Sequence, residues 1–246
     1  MKYWAGLFFY ATMFCGGAHA QAEVLRIGAI DSPPHVTDAQ SNPPKGEFIA
    51  FLQKYILPPV IKKHKVKVEW HSAPLKRQFR DLEVGNLDVL LMVLRNPERE
   101  KVYNYSEDPV IADQPGMIVP KNLFKNRDSV SIKEFSGKNV GLVAGAFVPE
   151  YFQQNKINTV VIAGEDAGER IPNLVETKRI DAAFIYLNSI TEGVVRNSKI
   201  PSIKSVTVTD VPPYSMYLAY NKKVSAKVRN EIDTQLRLYL KEYKFK

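Results

Sequence analysis

Between Val24 and Leu94 the apolar residues switch back and forth between two periods. Val24 to Ile30 is β-rich and alternating, and Asp31-Ser32-Pro33-Pro34 stops it. Phe48, Ile49, Phe51, Leu52, Tyr55 and Ile56 then recur at helical spacing, and Pro58-Pro59 predicts an interruption or kink. Val66 to Trp70 reads as a second strand. Leu75, Phe79 and Leu82 read as a second helix, closed by Gly85. Asp88 leads into a third strand, Val89 to Leu94. Parallel strands need a crossover, and a helix is the usual one, so this order predicts an α/β sheet.

A second block repeats the alternation. Strands are predicted at Gly116–Pro120, Asn139–Val143, Thr159–Ala163 and Asp181–Tyr186. Helices are predicted at Ser131–Phe135, Val148–Asn155 and Arg170–Lys178. A last strand, Ser215–Tyr220, precedes a helix with Val224, Val228, Ile232 and Leu236 on one face. No Gly/Ser linker separates the blocks and no short repeat is visible.

The N-terminus reads as an export signal. Lys2 supplies a minimal positive region, Ala5 to Gly17 an apolar one, and Ala18-His19-Ala20 a small-x-small cleavage site. The apolar run is shorter than the ~20 residues of a spanning helix. Cys15 lies inside it, preceded by Thr12-Met13-Phe14 rather than a small residue, which argues against a lipoprotein. Residues 1–20 are therefore expected to be removed, leaving a periplasmic chain of about 226 residues without cysteine. That length fits one large domain or two small ones. The formal charge of +8 is spread among acids with no long basic block, and no nucleic-acid motif is present.

Enzyme signatures are missing: no G-x-S-x-G, no H-E-x-x-H and no P-loop. His64 sits in the solvated run Lys62-Lys63-His64-Lys65, and His35 and His71 have no carboxylate at ligand spacing. No cofactor or metal is expected.

Asn86 to Asp108 reads NLDVLLMVLRNPEREKVYNYSED: a strand, a turn at Arg95-Asn96-Pro97, then Glu98-Arg99 and Tyr105-Ser106-Glu107-Asp108. This segment resembles the signature of family 3 extracellular solute-binding proteins, the amino-acid-type periplasmic receptors. The likeness extends over nearly the whole mature chain. Leu25-Arg26-Ile27-Gly28, Pro33-Pro34-His35, Gly46-Glu47-Phe48, Trp70 with Leu75 to Asp88, Gly137 to Gly141 with Gly145, and Leu174 to Ala182 follow in family order. The resemblance implies a two-lobe type II periplasmic-binding-protein fold, each lobe a mostly parallel sheet flanked by helices. Lobe one is expected at 22–109 plus 215–246 and lobe two at 114–211, with hinges near Pro109–Asp113 and Val211–Tyr214. It implies a monomer that captures a small carboxylate-bearing solute for an inner-membrane ABC permease. A ligand sensor for a membrane receptor, and a cyclohexadienyl-dehydratase-like enzyme using Glu150 or Glu165, are the alternatives.

By that resemblance Arg99 grips the ligand's carboxylate, and a guanidinium fork suits this task. Its structural alternative is a surface arginine paired with Glu98 or Glu100. Arg95 stands where relatives have a small polar residue. It either adds a second anion contact or faces water. Receptors of the family hold the ligand's ammonium with an Asp, and this chain has Tyr186 there, a polar group without charge. Asp31 either replaces that acid or closes an Asx turn. Among the aromatic residues Trp70, His35 and Phe147, Trp70 is expected first as a ligand wall. Gly145 and Ala146, before a predicted helix, are expected to offer backbone amides to an anion.

Overall fold

The structure, a computed structural model, describes residues 23–164, 166–243 and 245. The export signal with Cys15, and Glu165, lie outside the described residues. Among the described residues no helix is long and apolar enough to cross a membrane.

The chain begins with β1 (Val24–Ala29), followed by α1 (Glu47–Phe51), a π-helical turn (Leu52–Ile56) and α2 (Leu57–His64). Next come β2 (Lys67–Ser72), α3 (Leu75–Val84), β3 (Val89–Leu94), the single turn α4 (Pro97–Glu100), β4 (Asn104–Tyr105) and β5 (Ile111–Asp113). The middle of the chain holds β6 (Gly116–Pro120), β7 (Ser129–Val130), a 3₁₀ turn (Ile132–Phe135), β8 (Asn139–Val143), α5 (Glu150–Gln154) and β9 (Asn158–Ile162). It continues through α6 (Ala167–Glu176), β10 (Ala182–Ile185), α7 (Asn188–Ser198) and β11 (Ile203–Val208). β12 (Tyr214–Tyr220) and α8 (Ala226–Leu240) follow.

These strands form two sheets. The first runs β2-β1-β3-β12-β4, with β5 also on β12, and the second β7-β11-β6-β10-β8-β9. Both are mixed rather than mostly parallel. β2, β1 and β3 run parallel, but β12 joins β3 antiparallel because the chain returns to the first sheet from the second. In the second sheet β9, β8 and β10 run parallel and β6 lies antiparallel between β10 and β11. The two chain passages between sheets lie side by side: β5 pairs with the start of β12, Asp113 opposite Tyr214.

Each sheet is covered on both faces, which explains why β3 reads as a continuous apolar run. Val89, Leu91 and Leu94 enter one core with α1, α2 and α8, while Leu90 and Val93 enter another with Leu82 of α3. Met92 at φ 53° breaks the alternation, matched by a register shift opposite Tyr217 and Ala219 on β12. Phe48, Ile49, Phe51, Leu52 and Ile56 are buried as the helical stripe predicts. The helix does not end at Pro58-Pro59. It takes π geometry over Leu52–Ile56, and the prolines occupy the first turn of α2, where missing N–H donors cost least. α7 and β11 carry no signal recognised in the sequence. Gly193 weakens the helical pattern of α7, yet a Cβ there would overlap the Pro33 carbonyl oxygen. The glycine lets α7 pack directly on the loop after β1.

Asp233 on α8 is buried (8% exposed) and accepts a hydrogen bond from Tyr220 Oη on β12 at 3.1 Å. Burial raises its pKa to about 6, partly opposed by that hydrogen bond. A carboxyl whose folded pKa is raised favours the folded state below its unfolded value, near 4, and loses that contribution as pH rises through about 6. Asp233→Asn keeps the acceptor and removes the charge. Its thermal midpoint should exceed the wild type's at pH 7.5, with the gap closing by pH 4. Paired melts across that range check this.

Candidate functional site

Arg99 sits on α4, immediately beyond the C-terminal end of β3, where open α/β sheets place ligands. Asn96 caps the turn, its Oδ1 accepting from Arg99 N at 2.8 Å, and Pro97 fixes the first helical φ. The side chain then folds inward. Nη1 donates to Leu94 O at 3.0 Å, and Nη2 donates to Gly145 O, also at 3.0 Å, after β8 of the other sheet. The guanidinium carbon lies 4.0 Å from the centroid of the Phe79 ring. Arg99 is half-buried, and that burial lowers its pKa, opposed only by the neighbouring phenols of Tyr105, Tyr186 and Tyr103. Glu98 pairs with Lys101, and Glu100 with Arg95. Among the described residues Arg99 forms no ion pair, so a desolvated cation is held by neutral carbonyls and ring faces alone. Such a group gains strongly from an incoming anion.

Gly145 is the contact point on the opposite side. Its φ of 90° suits glycine, and a Cβ there would stand 2.9 Å from the backbone of Lys76 in α3. The absent side chain allows the two lobes to touch. Ala146 N donates to Val143 O at 3.0 Å, so this amide is committed to a turn. The following helix is shorter than expected and starts at Glu150, with Pro149 before it. Pro149 is extended, so Gly145 and Ala146 lie several residues before the helix and do not form its N-terminus.

Tyr186 follows β10 and donates its hydroxyl to Phe147 O. Its ring meets Phe184 at 5.1 Å and Tyr214 at 5.0 Å, both edge to face. Tyr214 and Tyr151 share a hydroxyl–hydroxyl hydrogen bond of 2.9 Å. Burial raises the pKa of Tyr186, Tyr151 and Tyr214, and pushes Tyr105 up to about 12, so these phenols stay neutral at physiological pH. Tyr186 and Tyr214 pack against the cores of both sheets.

No family model and no curated protein matches the chain. Solved structures do. An ancestral arginine-binding protein bound to arginine superposes with a TM-score of 0.67 at 22% identity, covering 89% of this chain and 93% of that one. The amino acid ABC transporter substrate-binding protein AbpA from Streptococcus pneumoniae, bound to L-arginine, gives 0.69 at 16% identity over 87% and 88%. AncCDT-1, an ancestral amino acid-binding protein and precursor of cyclohexadienyl dehydratase, gives 0.68 at 18% over 89% and 90%. The chain has the two-lobe type II periplasmic-binding-protein fold.

Within this fold the remaining candidates fall elsewhere. Arg95 is exposed, pairs with Glu100, and lies 6.0 Å and 5.8 Å from the Tyr105 and Tyr217 ring centroids. Its partner is an acid of its own loop, which neutralises the charge available to a second anion. Trp70 is half-buried on the edge strand β2, beside Ile27, and packs against the core of lobe one. Asp31 is exposed and accepts from Ala39 N at 2.9 Å, eight residues on, which ties together the loop after β1 rather than closing an Asx turn. It lines a separate groove of about 850 Å³ between residues 31–41 and α6–α7. His35 is buried and bridges the lobes, with Nε2 3.0 Å from Ser189 Oγ. Phe79, Tyr105, Tyr151 and Tyr214 were not singled out in the sequence, although Phe79 shares the helical face of Leu75 and Leu82.

Gly145→Val should hold the lobes apart, since the new side chain meets backbone rather than a flexible tip. Small-angle scattering of the variant should give a larger radius of gyration than the wild type, with the thermal midpoint of each lobe little changed.

Proposed function

We propose that this protein is a periplasmic solute-binding protein that captures a small carboxylate-bearing solute between its lobes and presents it to an inner-membrane ABC permease. The observation that carries the reading is Arg99: a half-buried guanidinium at the lobe junction, bonded to both sides and without an acidic partner among the described residues. A solute carboxylate replaces the Leu94 and Gly145 carbonyls as the bidentate partner. Lobe one comprises 22–109 plus 215–246 and lobe two 114–211. The paired crossings near Pro109–Asp113 and Val211–Tyr214 act as the hinge, and the Gly145 loop and Tyr186 close over the solute.

Binding without chemistry is the favoured reading. The acids near the site are committed, Glu100 to Arg95, and Glu150 is exposed at the start of α5. A dehydratase needs a carboxylic acid against the substrate, and no such group faces Arg99 among the described residues.

A thermal-shift screen of carboxylates tests the proposal. A ligand at 100 times its Kd stabilises by about 2.7 kcal/mol. For a chain of this size that is a rise of roughly 5–10 °C. Arg99→Ala should abolish the rise for the best hit. An unchanged rise in that variant would show that the carboxylate is held elsewhere.

A further inference from the structure

Arg99 is a charged group at this junction, and the side chains around it carry no charge. A zwitterionic amino acid brings its ammonium within a few ångströms of its carboxylate, and a closed cleft strips water from both. An ammonium left without a charged partner in such a place is strongly disfavoured. The side chains facing Arg99 are Phe79, Tyr103, Tyr105 and Tyr186, all neutral. Behind Tyr186 stand Phe184, Tyr214 and Tyr151, again neutral.

Among the described residues, the acids that reach this cage electrostatically have other partners or lie exposed. Glu100, beside Tyr105, pairs with Arg95. Glu83, beside Tyr103, lies exposed at the end of α3. Asp210, beside Tyr151, accepts from Ser131 Oγ at 2.6 Å and Ile132 N at 2.8 Å. Asp113 at the crossing accepts from Gln114 N and Ser189 N. Asp31, the remaining acid near the end of β1, accepts from Ala39 N and lines the other groove.

Building on the solute-binding reading, we infer that the solute is a carboxylate without an ammonium group, its body apolar or aromatic and lodged against the Tyr186–Tyr214–Tyr151 wall. The wall suits such a body. Tyr186 meets Phe184 and Tyr214 edge to face, Tyr151 and Tyr214 share a hydroxyl hydrogen bond, and the wall therefore offers ring carbon and uncharged polar groups. The relatives of this fold described above bind amino acids. Among the described residues this chain has a guanidinium at the lobe junction and no acid facing it.

Calorimetric titration with matched pairs tests the inference: propanoate with L-alanine, 4-methylpentanoate with L-leucine, and 3-phenylpropanoate with L-phenylalanine. The N-trimethyl betaine of each amino acid forms a third arm, because ring faces alone hold some quaternary ammonium ions. The desamino acid of the best pair should bind at least about tenfold more tightly than its amino acid. Tyr186→Asp should move that ratio at least about tenfold toward the amino acid, a gain that loss of packing does not produce. A wild type that prefers the amino acid or the betaine overturns the inference and leaves the receptor reading standing. If no carboxylate of any arm binds, the receptor reading falls and the inference with it.

Discussion

Arg99 holds carbonyl oxygens from two different sheets, and much of the molecule is arranged to let it do so. α4 is one turn long, capped by Asn96 and started by Pro97, so the side chain leaves the strand end at a fixed angle. Leu94 O anchors one nitrogen within the first lobe, and Gly145 O receives the other from the second. Gly145 comes close enough only because it has no side chain to meet Lys76. A cation desolvated in this way is costly without an anion, and that cost is the physical basis of the proposed carboxylate site.

Around this bridge the lobes meet through several independent contacts. His35 reaches Ser189, Gly193 admits the Pro33 carbonyl, and Tyr186 and Tyr214 pack against both cores. The crossings run together as β5 and β12, paired over Ile111–Asp113 and Tyr214–Met216, where the proposed hinge lies. The rigid parts are the two cores, each covered on both faces of its sheet. Packed cores resist continuous deformation, which is the property the proposed hinge at the crossings requires.

Much of this was legible in the chain itself. β1, β3 and α3 stand where the apolar period placed them, and the stripe from Phe48 to Ile56 is buried as expected. Elements with weak periodicity were not. α7 has a glycine where a helix wants a larger residue, and the reason lies on a loop far away in sequence. The prolines after Ile56 read as an interruption or kink, and they occupy the first turn of α2, directly after a π-helical turn. Of the candidate site residues, Arg99, Gly145 and Tyr186 come together at the lobe junction. Arg95, Trp70 and Asp31 are held by local partners that the sequence could not choose between.

The sequence by itself determined the alternation of strands and helices, the buried faces and the arginine that follows β3. Those depend on near neighbours and on a hydrophobic pattern with a readable period. Only the tertiary structure decided which groups surround that arginine. Phe79, Tyr105, Gly145 and Tyr186 arrive from helix, strand and loop on both lobes, and their meeting depends on how the sheets pack. The same packing left no free acid among the described groups facing the guanidinium, a property of the assembled site that no single segment carries.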